Sequence, residues 1–100
     1  MPFESVIHFW FTELTPKHHF AKDAALDEAI RTRFGATLAA AARCELFAWR
    51  ATPEGRLAEV LVLDQFSRNV NRDTPQAFAQ DALALALAQE LVASGQDRSL

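Results

Sequence analysis

The residues of this chain with the widest chemical repertoire lie in one short stretch, "LDQFSRNVNRDTP", from Leu63 to Pro75. Asp64, Gln65, Arg68, Asn69 and Arg72 crowd there against the apolar run "LAEVLVL". On a continuing helix, Asp64 and Arg68 stand at i and i+4, the order in which a carboxylate pairs best with a following cation, and Arg72 extends that face by a turn. Three kinds of chemistry fit. The groups can form an internal clamp, because a polar cluster following four apolar residues is expected to be partly buried and mutually hydrogen-bonded. Alternatively, Gln65, Arg68, Asn69 and Arg72 can border a binding surface, the arginine forks being suited to carboxylate or phosphate. In the third reading Asp64 is a base and Arg68 an anion anchor, which requires a perturbed carboxylate facing a cavity. The near balance of aspartates and arginines makes the segment a poor funnel for anions.

Other reactive residues offer less. His18 and His19 are adjacent and would diverge by about 100° on a helix, so they cannot jointly face one ion. His8 lies among Phe3, Ile7, Phe9, Trp10 and Phe11 and reads as a hydrogen-bonded boundary residue. Cys44 reads as a small buried apolar side chain with only Arg43 nearby to lower its pKa. The chain has no glycine-rich phosphate loop, no Gly-x-Ser-x-Gly elbow and no Glu-x-x-His pair. No catalytic residue, cofactor or metal is therefore expected.

The elements that must position the cluster are helical. Valine and isoleucine are sparse and no hairpin turn pair occurs. Ser5 is an expected N-cap for "VIHFWFTEL", and Asp23 for a helix in which Leu26, Ile30, Phe34 and Leu38 recur every four residues while Asp27, Glu28, Arg31 and Arg33 occupy other faces. Thr52-Pro53 and Thr74-Pro75 each place threonine at N-cap and proline at N1. The helix from Pro53 is apolar on nearly every side and should be the buried hub. A last helix is expected from Pro75 to Gly95, with Leu83, Leu87 and Leu91 in one row and Phe78, Ala82 and Leu85 beside it. Trp10, Phe11, Phe20, Phe34, Phe47, Trp49, Phe66 and Phe78 are expected core aromatics. The fold class is all-α, with four to five helices in antiparallel hairpins.

Composition sets the outer limits. One hundred residues with 50% hydrophobic and 23% charged side chains make a single folded domain, 1–100. A net charge of −3 lacks the basic footprint of a nucleic-acid or anionic-membrane partner, and no apolar run approaches a membrane span. The single cysteine excludes an internal disulfide and fits a cytoplasmic location.

"HFWF", Phe34 after Arg33, Trp49, "GRLAEVLVLDQFSRNVNR" and "TPQAFAQDALALALA" together resemble the bacterial family designated domain of unknown function 924, whose fold is similar to tetratricopeptide-like helical repeats. The most specific part is the Leu-Asp-Gln-Phe-x-Arg-Asn run, here Leu63 to Asn69; Arg72 and Asp81 match a following arginine and an aspartate of the next helix. Asn71, Asp73 and His19 depart from the family's usual tyrosine, glycine and aromatic residue. Family members continue with further helices and a His-Ser-Glu motif where this chain reads "DRSL", which implies a truncated member or part of a domain. The resemblance implies no activity. The expected function is a helical-repeat module accepting a protein or peptide segment, with homo-oligomerisation driven by an apolar face left open on the hub.

Overall fold

The computed structural model describes residues 3–14, 24–72 and 74–100. The expected Asp23 cap, the His18-His19 pair, Phe20 and Asp73 lie outside these residues. Among the described residues the chain is all-α, built from α, π and 3-10 turns with no strand.

Helix α1 (Glu4–His8) continues as a π turn, Phe9–Glu13. It begins one residue ahead of the expected cap: Phe3 holds the N-cap position without a side-chain hydrogen bond, so Ser5 lies inside the helix. Helix α2 (Ala24–Ala42) buries Leu26, Ile30, Phe34 and Leu38, the predicted every-fourth-residue row, together with Ala41. It buries Asp27 and Thr37 as well. After a 3-10 turn at Phe47–Ala51, α3 (Pro53–Leu61) starts as the sequence requires, with Thr52 Oγ1 accepting a hydrogen bond from the Gly55 amide at 3.1 Å. The rod then runs through a π turn, Val62–Phe66, into α4 (Ser67–Val70).

This rod is the hub. Ala58, Glu59, Leu61, Val62, Leu63, Phe66 and Ser67 are all buried. Its neighbours run antiparallel to it on two sides. Asp27 meets Asn69 and Arg72 while Phe34 meets Phe66, so the start of α2 lies against the end of the rod. Arg56 reaches Glu90 at one end and Arg68 reaches Asp81 at the other, which fixes α5 (Asp81–Ala93) in the opposite sense to α3. The two π turns face each other across the core: the Phe66 ring lies 5.9 Å from Phe9, 6.1 Å from Trp10 and 5.0 Å from Phe34. Arg33 roofs this cluster, 4.8 Å from the Phe9 ring centroid, and donates to Glu13 through Nη1 and Nη2. Hydrogen bonding from Arg33 is the main reason Glu13 titrates below its ordinary value.

Besides the Ser5 cap, three expectations fail. The segment after Thr74 is a 3-10 turn, Pro75–Phe78, and α5 begins only at Asp81; the Thr74 hydroxyl turns back to the Asn71 carbonyl at 2.6 Å instead of capping forward. Phe11, Phe47 and Phe78 are exposed because each falls on the outer side of its turn. On α5 the inner stripe is Ala84, Leu87 and Leu91, and Leu85, which the sequence set beside the leucine row with no expectation of burial, is exposed. Cys44 is also exposed, on a left-handed turn with φ 59° that ends α2. Gly95 does take the left-handed C-terminal position behind α5, with φ 79°.

Candidate functional site

The π turn at Val62–Phe66 and α4 carry the cluster, and the fold separates its members into two groups. Asn69 and Arg72 face α2. Asn69 Nδ2 donates to Asp27 Oδ1 at 2.8 Å, while Arg72 Nε donates to Oδ2 at 2.6 Å and Nη2 to Oδ1 at 3.0 Å. Asp27 is 8% exposed. One turn on, Arg31 Nη2 donates to the Val70 carbonyl at 2.6 Å and also pairs with Glu28. Burial pushes the Asp27 carboxyl up, but the hydrogen bonds from Arg72 and Asn69 and the charges of Arg72 and Arg31 outweigh it and hold the group below its ordinary value. This half of the cluster is the clamp, and it ties the end of the hub to the first turns of α2.

Asp64 and Arg68 face α5. Arg68 Nη2 lies 3.0 Å from Asp64 Oδ1 and 3.7 Å from Asp81 Oδ2, and the guanidinium sits 5.4 Å from the centroid of the exposed Phe78 ring. Gln65 Nε2 donates to Asp64 Oδ2 at 2.6 Å. Both oxygens of Asp64 are therefore engaged. Asp81 Oδ1 is buried and finds no hydrogen-bond partner among the described residues.

Arg68 lies where two grooves meet. One, of about 330 Å³, is lined by Val60, Asp64, Arg68, Asp81, Ala84, Leu85 and Ala88. The other, of about 310 Å³, is lined by Arg68, Arg72, Thr74, Ala77 and Phe78. The Arg68 side chain is 46% exposed, against 30% for Arg72. Both arginines thus line the second groove, but Arg68 stands at the grooves' junction whereas Arg72 is also held by the clamp.

Two acidic residues of the interior were not expected there from sequence, Asp27 having been placed on a face away from the core row. Asp27 shares a seven-residue repeat with the buried Phe34 and Ala41, so the signal for its burial was present in the spacing. Glu59 sits inside the apolar run and is 1% exposed; Arg50 Nε and Nη2 each donate to it at 2.9 Å. That hydrogen bonding raises the Arg50 pKa despite the desolvation opposing it. The Arg50 carbonyl in turn accepts from Arg56 Nε at 3.1 Å. This second clamp closes the 3-10 turn onto α3.

His8 is exposed, 3.7 Å from Glu13. Among the described residues no group of three or more His, Cys, Asp or Glu side chains is placed to hold a metal ion, and no helix is long and apolar enough to cross a membrane.

Comparison with known proteins agrees with the fold. No curated protein matches the chain. The structure is similar to a solved protein of unknown function from Agrobacterium tumefaciens, with TM-score 0.91 and 39% identity over 98% of this chain. The match takes up 55% of the Agrobacterium chain, so this chain spans about half the length of that relative. Residues 6–100 match the family described as bacterial protein of unknown function (DUF924). With nearly its whole length covered by that match, and with the Leu-Asp-Gln-Phe-x-Arg-Asn run on the hub, the chain belongs to the DUF924 family.

Proposed function

We propose that this chain is a helical interaction module that accepts a polypeptide segment in the grooves between the hub and α5, with Arg68 as the polar contact at their junction. The observation that carries this reading is the position of Arg68, half exposed between two grooves and flanked by the exposed apolar side chains of Phe78 and Leu85. An apolar trough with one polar anchor is the usual form of a peptide-binding groove. Asp64 and Asp81 already flank Arg68, so the trio carries an excess negative charge and is a poor anion trap. The remaining guanidinium donors suit backbone carbonyls of a bound segment, and Gln65 steadies the carboxylate that orients Arg68. Asn69 and Arg72 support the surface from behind through Asp27.

The test is an amide-resolved NMR titration with short amphipathic helical peptides, with inorganic phosphate and acetate in parallel. Peptide-dependent shifts at Arg68, Ala84, Leu85 and Ala88 that vanish in folded Arg68→Ala support the module. Saturable shifts from phosphate or acetate alone, lost in the same variant, would replace it with a small-anion site.

A further inference from the structure

The two grooves that meet at Arg68 carry opposite charge. In the first, two aspartates, Asp64 and Asp81, stand against the one arginine, set among the apolar walls of Val60, Ala84 and Leu85. The second is lined by both Arg68 and Arg72, and no carboxylate appears among its described lining residues. Asp27, which binds Arg72, is buried behind it, so the solvent side of that groove is basic. The exposed ring of Phe78 supplies an apolar wall beside the arginines. A single side chain forms the boundary. Arg68 Nη2 lies 3.0 Å from Asp64 and 3.7 Å from Asp81 on one side, while the guanidinium leans toward the Phe78 ring centroid, 5.4 Å away, on the other.

A ligand that spans this junction with matched charge has a cation in the first groove and an anion in the second. We propose that the polypeptide segment accepted here carries an acidic and a basic side chain on one face, the acid set between Arg68 and Arg72 and the base against Asp64 and Asp81. The inference rests on the interaction-module reading and names the chemistry of its partner. Charges then alternate along the junction, from the segment's acid to Arg68, to Asp64 with Asp81, and to the segment's base, so that each has neighbours of opposite sign. One guanidinium separates the segment's two charges, which on a helix places them three or four residues apart, the spacing at which side chains share a face. Apolar residues beside them meet Leu85 in one groove and Phe78 in the other. A segment of one sign fits less well, because an acid crossing the first groove meets two aspartates and a base crossing the second meets two arginines. A free amino acid has both charges, but a single carbon separates them and they cannot reach both sides of the Arg68 guanidinium.

The test is a set of peptides on one amphipathic helical scaffold with fixed apolar residues. They carry Glu with Lys four residues on, Lys with Glu four residues on, or Gln in place of either charge or both. Affinity for the wild-type chain is read from the amide shifts of Phe78, Ala84 and Leu85. One of the two doubly charged peptides should bind about tenfold tighter than the Gln-Gln peptide, each charge alone giving about threefold, as half-exposed ion pairs do. The advantage should fade at about 0.5 M salt. Asp81 and Arg68 are themselves half exposed, which keeps their variants folded. In Asp81→Asn the preference for Lys over Gln should fall while that for Glu remains, and Arg68→Gln should do the reverse. Affinities that all lie within about twofold of one another in the wild type overturn the inference and leave a neutral peptide groove, whether or not the variants fold. A charge preference that neither variant moves overturns it as well. So does displacement of the peptide by free glutamate or lysine at equal concentration, which assigns the charges to a small dipolar ligand. A wild type that binds no member of the set overturns this inference and the interaction module together.

Discussion

Removing the Asp27 carboxylate examines the clamp where its geometry is most complete. Asp27→Ala leaves the Asn69 amide and the Arg72 guanidinium facing a site from which three hydrogen bonds have gone. A fully buried pair loses about 3–5 kcal/mol when one partner is removed, and an exposed pair less than about 1 kcal/mol. Asp27 is 8% exposed, but the Arg72 side chain keeps 30% and can turn to water, so a cost of roughly 2–3 kcal/mol is expected. For a domain of this size that lowers the Tm by on the order of 10–20 °C. Urea unfolding followed by circular dichroism measures it, and a cycle with Arg72→Ala should return a coupling of about 1–2 kcal/mol.

The pH dependence gives an independent reading of the same clamp. The folded carboxyl titrates below its ordinary value of 3.8. A depressed folded pKa means the stabilisation is complete above 3.8 and is lost as the pH falls from there through the lower folded value. The stability gap between wild type and Asp27→Asn should therefore hold steady from neutral pH down to about 5 and then close in acid. A loss below about 0.5 kcal/mol, the level of an ordinary surface substitution, would refute the clamp. A gap that persists unchanged below the ordinary carboxylate range would refute the assignment of its cause.

Three further outcomes follow from particular contacts. Arg50→Ala strands Glu59 in the core and should cost about 3–5 kcal/mol by urea unfolding, whereas Arg50→Met with Glu59→Leu should recover most of it, since paired apolar replacement removes the buried charge. Gly55→Ala places a Cβ 2.0 Å from the Trp49 carbonyl oxygen and should destabilise by about 1–3 kcal/mol or more, while Gly35→Ala, whose Cβ meets nothing within 4 Å, should stabilise α2 by about 0.5–1 kcal/mol; thermal melts of the two should move in opposite directions. Arg68→Ala removes only a half-exposed pair and should shift stability by less than about 1 kcal/mol, so a collapse of the fold in that variant would place Arg68 in the clamp rather than the groove.

The sequence by itself determined what depends on neighbours along the chain. The row Leu26, Ile30, Phe34 and Leu38, the Thr52-Pro53 start, the apolar hub and the Gly95 stop follow from periodicity and capping, which act within a few residues. The pairing of Asp64 with Arg68 is of the same kind. Only the tertiary structure decided which side chain meets which at long range. The repeat that buries Asp27 with Phe34 is in the sequence, but its partner lies 45 positions away, because an antiparallel rod brings Arg72 alongside. The same packing divided the cluster, sending Asn69 and Arg72 inward to α2 and Arg68 outward to α5. It also left Phe78, Leu85 and Val92 in the open, although hydrophobicity alone had counted Phe78 among the core. Hydrophobicity states that a side chain favours burial; which neighbour arrives to bury it is a property of the assembled fold.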